Sequence, residues 1–93
     1  MTYELAFLEV SLKEWGKLDR NIQAQFKKKL EERLEMPRVQ SAKLHGHEDR
    51  YKIKFKSIGC RLVYQVKDHE LIVLVIAVGK RERNSVYKAA AIR

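Results

Sequence analysis

The stretch RYKIKFKSIGCRLVYQVK, residues 50–67, decides the fold of this chain. Apolar and polar side chains alternate over residues 50–56 and again over 60–67, which is typical of β-strands with one buried face. Because buried side chains must face buried side chains, the two strands form an antiparallel hairpin whose paired residue numbers add to an odd number. A four-residue loop from Lys56 to Gly59, with glycine where φ is positive, sets that sum at 115.

The predicted register places three cations together on the face opposite the core. Arg61 lies directly across from Lys54, and Lys52 lies about 6–7 Å further along the same strand. Like charges directly across a sheet are destabilising, so the cluster suggests a functional reason. An alternative remains open, because cationic side chains also protect strands from edge-to-edge aggregation.

The N-terminal part of the chain predicts one strand and two helices. Residues 2–8 alternate as a strand does, and residues 9–17 carry helical spacing. A longer helix begins after Asp19, a good N-cap, and ends before Pro37. Its apolar residues recur every four positions and form one stripe that predicts the core-facing side.

The C-terminal part predicts a buried strand and a short helix. Residues 71–78 are apolar without alternation, which predicts a strand that is covered on both faces and ends at Gly79. Asn84 or Ser85 then caps a short helix. The predicted order is β-α-α-β-β-β-α, an α+β fold. It has an antiparallel-dominated four-stranded sheet, two N-terminal helices packed on one face and a short C-terminal helix, all within a single domain, 1–93.

Composition excludes several classes of protein. The chain has 93 residues, of which 45% are hydrophobic, and its formal net charge is +8. A single cysteine, Cys60, excludes an intramolecular disulfide scaffold and a cysteine-rich zinc site, and its position predicts an inert core residue. Neither a signal peptide nor a long apolar run is present, so we expect a cytoplasmic protein without a membrane partner.

The positive charge is concentrated in the second half of the chain. Residues 1–50 carry a net charge of +1, whereas residues 51–93 carry +7. A one-sided basic surface attracts polyanions, of which nucleic-acid backbones are the commonest. An anionic membrane or an acidic protein would fit the same asymmetry, and a surface that is merely solvated explains it less well.

A second basic cluster, Lys80-Arg81-Glu82-Arg83, follows the predicted buried strand. The strand holds its start rigidly, so Arg81 can reach back over the sheet edge while Arg83 or Tyr87 approaches from the start of the helix. Taken alone, the cluster is better explained as a solvated loop in which Glu82 forms an ion pair, and it is the convergence of two separate basic clusters that favours a functional role. His45 and His47 alternate in a polar connector without a further ligand set, so no metal site and no cofactor are predicted.

The sequence resembles the RelE toxin family of the RelE/ParE superfamily. Three segments carry the resemblance: Tyr51 to Lys54, Arg61 to Val66, and Val78 to Arg83 followed by Val86-Tyr87. Members are ribosome-dependent mRNA endonucleases of type II toxin–antitoxin pairs, and they cleave mRNA in the ribosomal A site. A RelB-like antitoxin neutralises them, and they contact operator DNA only through the antitoxin complex. The resemblance implies an active site at these positions: Lys52, Lys54, Arg61, Arg81 and Tyr87.

The implied chemistry fits these side chains. RNA cleavage by its own 2′-OH needs a base, stabilisation of the phosphorane and help for the leaving 5′-oxygen. Crowding by other cations depresses a lysine pKa, so Lys54 is the preferred base, with Lys52 as the substitute. Arg61 and Arg81 hold phosphate oxygens. Tyr87 stacks on or orients a base. The remaining cations of the two clusters are predicted to contact RNA: Lys56, Lys80 and Arg83.

Two other functions use the same residues. A non-catalytic RNA- or ribosome-binding module would use the basic patch for phosphate contacts alone. A basic partner subunit would dock the patch on an acidic protein. Replacement of Lys54 by arginine separates the first of these from the nuclease, because a binder tolerates the exchange and a lysine base does not.

Overall fold

The computed structural model describes residues 2–80 and 85–93, and their elements follow one another in the predicted order. None of the helices in these two segments is both long and apolar enough to span a membrane. The elements are β1 (Glu4–Phe7), α1 (Glu9–Gly16), α2 (Arg20–Glu35), a short 3-10 turn (Gln40–Ala42), β2 (Arg50–Phe55), β3 (Cys60–Lys67), β4 (Ile72–Lys80) and α3 (Ser85–Ala91).

The strands form one mixed sheet in the order β1-β4-β3-β2. The β2–β3 and β3–β4 pairs are antiparallel, while β1 runs parallel to β4. The hairpin register is the predicted one, since Lys54 pairs with Arg61 and Phe55 pairs with Cys60. Gly59 closes the turn with φ of +64°, a conformation that glycine adopts without steric cost. An antiparallel-dominated sheet is therefore confirmed, with β1 as its single parallel strand among the described residues.

Helix α2 covers one face of the sheet and builds the larger core. The side chain of Asp19 accepts a hydrogen bond from the Asn21 backbone N–H at 3.2 Å, as expected of an N-cap. Phe26 and Leu30 are fully buried, and each contributes about 1.5–3 kcal/mol through burial. The side chains packed with them from the sheet include Tyr51, Ile53, Leu62, Tyr64, Val66, Val73, Val75 and Val78.

Because of a β-bulge, side chains of β4 pack into the cores on both faces of the sheet. Val63 pairs with Ala77 and Tyr64 pairs with Val75, so Ile76 is the extra residue that resets the alternation. On the face opposite α2, Val63, Ile76 and Ala77 form a smaller core with residues of α3. The prediction that this strand is covered on both faces is confirmed.

The end of β4 differs from the prediction. The strand was predicted to end at Gly79, and this is wrong: it continues to Lys80. Gly79 pairs with Arg61 and Lys80 pairs with Cys60, so the ladder to β3 extends over both residues. Glycine weakens a strand but does not interrupt its backbone hydrogen bonds. Helix α3 begins at Ser85, and the alternative cap, Asn84, lies outside the described residues.

Arginine side chains attach α3 to the sheet at its C-terminal end. Nη1 of Arg50, on β2, donates to the Ala90 carbonyl at 2.5 Å, where a helix C-terminus favours a cation. Arg93 forms two hydrogen bonds with the Glu14 carboxylate, at 2.7 and 3.0 Å, and donates to the Ile76 carbonyl at 2.9 Å. Helix α3 is therefore held against both the sheet and α1.

An ion-pair network joins the segment after α2, the residue before β2 and the β3–β4 turn. Nη2 of Arg38 lies 2.9 Å from Asp49 and 2.7 Å from Asp68, and the Tyr3 hydroxyl donates to Asp68 at 2.6 Å. The hydrogen bond from Arg38, and then that from Tyr3, lower the pKa of Asp68 below its ordinary value. A carboxyl whose pKa falls on folding adds stability above its unfolded-state pKa, and this stability is lost as the pH falls through the folded-state value.

We therefore expect Arg38→Met to lower the melting temperature at pH 7, and we expect the difference from wild type to shrink as the pH falls below about 4, the unfolded-state pKa of an aspartate, and through the lower pKa of folded Asp68. Thermal unfolding followed by circular dichroism from pH 2.5 to 7 measures this difference. Lys13→Met, which removes an exposed cation of α1, is the matched control and should show no comparable pH dependence. If the difference in melting temperature between the two proteins is the same at every pH, Arg38 stabilises the fold through packing and not through its ion pairs.

Candidate active site

The site is built on the hairpin pair Lys54–Arg61. Backbone N–H of Val66 donates to the Asp49 carbonyl at 2.8 Å, which makes Asp49–Val66 a hydrogen-bonded pair of the antiparallel ladder. By alternation, Lys54 and Arg61 occupy a non-hydrogen-bonded position, where opposed side chains approach most closely, with Cα atoms about 4.5 Å apart. Two cations are thus held side by side on the sheet, as the sequence predicted.

Helix α3 lies over this pair and buries Arg61. Only 6% of Arg61 is exposed, whereas Lys54 is exposed. The Arg61 guanidinium carbon lies 4.9 Å from the centre of the Tyr87 ring, a cation–π contact. Val86, the neighbour of Tyr87, is buried in the smaller core and fixes this part of the helix. The structure therefore brings together Lys54, Arg61 and Tyr87, and it gives Tyr87 a contact that the sequence did not predict.

Lys52 follows on the same face of β2, opposite Val63, and is half-buried. By the same alternation its backbone carbonyl points away from β3, toward the open edge of the sheet. There it accepts a hydrogen bond of 3.4 Å from Nη1 of Arg33, a residue of α2 that is only 9% exposed. Arg33 was not singled out by the sequence reasoning, although its position three residues after Leu30 places it beside the apolar stripe.

The structure describes two of the four remaining cations that were predicted to belong to the site. Lys56 lies in the β2–β3 turn and Lys80 at the end of β4, and both are exposed. Arg81 and Arg83 lie outside the described residues. Lys80 pairs with Cys60, a residue of the core on the α2 side, and therefore does not lie on the sheet face of Lys54 and Arg61. The contributions of Arg81 and Arg83 stay predictions.

Cys60 occupies the core next to Arg61. Its side chain is fully buried, and burial raises the pKa of the thiol above its ordinary value. A buried, protonated thiol is a poor nucleophile, in accord with the predicted core role. Within residues 2–80 and 85–93, no three histidine, cysteine or acidic side chains are grouped as a metal site would require.

The chain is similar to known proteins along its whole length. Residues 5–85 match the family described as ParE toxin of type II toxin-antitoxin system, parDE. The mRNA interferase toxin RelE of Escherichia coli K12 is 55% identical over 93 residues, which span 100% of this chain and 98% of that protein. The chain belongs to the RelE/ParE toxin family. The mRNA interferase RelE of Shigella flexneri is 55% identical over the same shares of both chains.

Solved structures of RelE support the fold of this RelE/ParE toxin. A mutant of E. coli toxin RelE in the free state superposes with a TM-score of 0.91 at 53% identity, covering 100% of this chain and 98% of that one. The same mutant in complex with a peptide of the antitoxin RelB superposes with a TM-score of 0.85 at 53% identity, covering 97% and 95%. The α+β architecture predicted from the sequence is therefore that of the RelE structures.

Proposed function

We propose that this RelE/ParE toxin is a ribosome-dependent mRNA interferase that acts in the cytoplasm as a single domain, 1–93. The observation that carries the proposal is the Lys54–Arg61–Tyr87 arrangement, in a chain 55% identical along its length to an mRNA interferase toxin. The arrangement offers a lysine, a guanidinium and an aromatic ring on one surface. A base, an oxyanion stabiliser and a stacking surface of this kind are suited to recognition and cleavage of single-stranded RNA.

We propose the following reaction for these groups. The ribose 2′-oxygen attacks the adjacent phosphorus, the O2′–P bond forms, and the P–O5′ bond breaks to leave 2′,3′-cyclic phosphate and 5′-OH ends. Lys54 accepts the 2′-OH proton as general base, because Arg61 beside it and Lys52 one pleat away disfavour its charged form. Lys52 is the substitute for this role.

In this proposal, two arginines stabilise the charge of the phosphorane and of the leaving oxygen. The forked guanidinium of Arg61 donates to phosphate oxygens, and its contact with the Tyr87 ring restricts the plane of the fork. Arg81 adds electrostatic help for the leaving 5′-oxygen. Tyr87 presents its outer ring face to a nucleobase. The exposed Lys56 and Lys80, together with Arg83, hold the flanking RNA backbone.

A RelB-like antitoxin is the expected protein partner. E. coli RelE forms complexes with its antitoxin RelB, and this chain superposes on RelE in the intact complex with a TM-score of 0.83 at 56% identity, covering 87% of this chain and 99% of that one. Neutralisation by an antitoxin of this kind, and contact with operator DNA through the resulting complex, are therefore proposed for this chain.

Primer extension on a defined mRNA tests the proposal. We expect cleavage within the A-site codon of a programmed ribosome with an empty A site, and none of the same mRNA when naked, because the ribosome aligns the 2′-OH in line. The fragments should carry 2′,3′-cyclic phosphate and 5′-OH ends. Cleavage of naked RNA would discard ribosome dependence, and 5′-phosphate ends would discard the 2′-OH mechanism. Ribosome binding without cleavage would instead favour a non-catalytic binding module.

A further inference from the structure

The edge of β4 next to β1 is paired with a strand along only part of its length. β1 pairs with residues 72–75, and β4 continues beyond them. Past this pairing, two side chains bind the backbone of β4 where β1 has ended. The Glu14 carboxylate accepts from the Val78 N–H at 3.3 Å. The Arg93 guanidinium donates to the Ile76 carbonyl at 2.9 Å. Because backbone polar groups need partners when they leave water, these side chains close the sheet beyond β1.

The same two side chains form an ion pair with each other. Nη1 and Nη2 of Arg93 donate to the two oxygens of the Glu14 carboxylate at 2.7 and 3.0 Å. Only 17% of the Arg93 side chain and 28% of the Glu14 side chain are exposed. A two-pronged pair in this setting fixes the relative orientation of its partners far better than an exposed ion pair does.

Helix α1 gives the Glu14 carboxylate a fixed position. The fully buried Ser11 donates its hydroxyl to the Val75 carbonyl at 2.7 Å, which attaches α1 to β4. Trp15, the neighbour of Glu14, packs against the larger core with its ring centre 5.4 Å from that of Phe7. Residues on both sides of Glu14 therefore hold α1 against the sheet.

Helix α3 depends on its contacts for its position. It has seven residues, and a helix of this length is not stable in isolation. The Arg93 backbone N–H donates to the Ala90 carbonyl at 3.2 Å, so the guanidinium is coupled to the end of the helix. Tyr87 lies about one turn earlier in the same helix, with its ring centre 4.9 Å from the guanidinium carbon of Arg61. Contacts therefore run without a break from α1 to the aromatic ring of the site.

Two points of attachment at the end of α3 define its orientation. Arg50 provides one through its hydrogen bond to the Ala90 carbonyl, and a helix held at one point can still pivot. The apolar contacts of Val86 and Ala90 with the smaller core do not prevent this, since burial of apolar surface is not directional. The Glu14–Arg93 pair provides the second point, on the side of α1.

We infer that Glu14 and Arg93 are positioning residues for the site: their pair holds α3 against α1 and β4 so that Tyr87 stays over Arg61. The effect on cleavage rests on the proposed function, in which neither residue of the pair touches the RNA. A displacement of about 1 Å caused by a change far from the chemistry can lower a rate about 10²-fold. Loss of the pair should therefore lower the cleavage rate and leave ribosome binding intact.

The first test measures the position of Tyr87 by NMR, without reference to cleavage. The aromatic ring shifts the proton signals of the Arg61 side chain, and Tyr87→Leu gives their values without the ring. In Arg93→Met and in Glu14→Met these signals should move most of the way to the Tyr87→Leu values. The double variant should show the same shift as either single one, because the pair acts as a unit. Arg93→Gln keeps one donor and gives a second reading if the methionine variant folds poorly.

Two controls separate the placement of α3 from a general loss of stability. Arg50→Lys keeps a cationic donor at the other point of attachment. Glu32→Gln removes the carboxylate of an exposed ion pair of α2. Both should keep the Arg61 signals of wild type when all proteins are compared well below their melting temperatures. Unchanged Arg61 signals in both Arg93→Met and Glu14→Met would overturn the inference, whatever the cleavage assay shows.

The second test is single-turnover cleavage on the programmed ribosome. Arg93→Met should cleave about 10–10²-fold more slowly than wild type while co-sedimentation with ribosomes is unchanged. Arg93→Lys keeps the charge and should recover part of the rate. A wild-type rate in Arg93→Met would overturn the role of the pair in cleavage. If wild type itself does not cleave while the Tyr87–Arg61 contact is lost in Arg93→Met, the proposed function is wrong and the placement of Tyr87 by the pair stands.

Discussion

Lys54→Arg should reduce cleavage in the ribosomal A site by about 10²–10⁴-fold, the usual contribution of a general base, while ribosome binding stays intact. Arginine keeps the positive charge opposite Arg61, so phosphate attraction is preserved. The pKa of arginine lies far above neutral pH, so its guanidinium stays protonated and cannot accept the proton of the 2′-OH. The substitution therefore removes the proposed general base and keeps the positive charge that attracts the phosphate.

Single-turnover cleavage at saturating protein measures this loss, and co-sedimentation with programmed ribosomes measures binding. Lys67→Arg is the matched control, because Lys67 ends the same hairpin, pairs with Glu70 at 3.6 Å and lies far along β3 from Arg61. It should cleave as wild type does. If Lys54→Arg also cleaves at the wild-type rate, Lys54 is not the base, and the same assay of Lys52→Arg then tests the substitute.

The hairpin could be predicted because its signals are local. Side chains alternate with a period of two, and a shift of one residue would expose the whole apolar set, so only one parity of register is allowed. The turn ending at Gly59 then selected the sum that pairs Lys54 with Arg61. The local pattern of the hairpin is therefore sufficient to predict that Lys54 and Arg61 lie together, without knowledge of any tertiary contact.

The bulge in β4 left no comparable signal. Every residue from Leu71 to Val78 is apolar, so the pattern carries no polar position that would mark where the alternation resets at Ile76. The absence of alternation correctly predicted burial on both faces. It gives no information about where the strand ends, and glycine predicts an end at Gly79 although the backbone of Gly79 continues the ladder.

The position of α3 depends on long-range packing. Its alanine-rich sequence marks a short helix but does not indicate which face of the sheet it covers. The burial of Arg61 beneath Tyr87 follows only once that face is known. Arg33, by contrast, was predictable in principle, because an arginine beside the apolar stripe of α2 must either bend out to solvent or find buried partners.

Arg61→Lys is expected to reduce the cleavage rate by about 10²–10³-fold, the usual cost of removing one preorganised donor to a developing oxyanion. Lysine keeps the charge but not the planar fork, which packs against the Tyr87 ring and which we propose holds two phosphate oxygens. Because the phosphorane carries more charge than the ground state, the maximal rate should fall more than ribosome binding weakens.

Arg50→Lys is the matched control for this variant. Arg50 lies on β2 and donates to the Ala90 carbonyl at the other end of α3, so its replacement weakens the attachment of the helix without touching the Lys54–Arg61 pair. Both variants should lose some thermal stability, but only Arg61→Lys should lose cleavage. If the two lose cleavage equally, the role of Arg61 is to hold α3 and not to bind the phosphate. If Arg61→Lys retains the wild-type rate, the guanidinium fork has no part in the reaction.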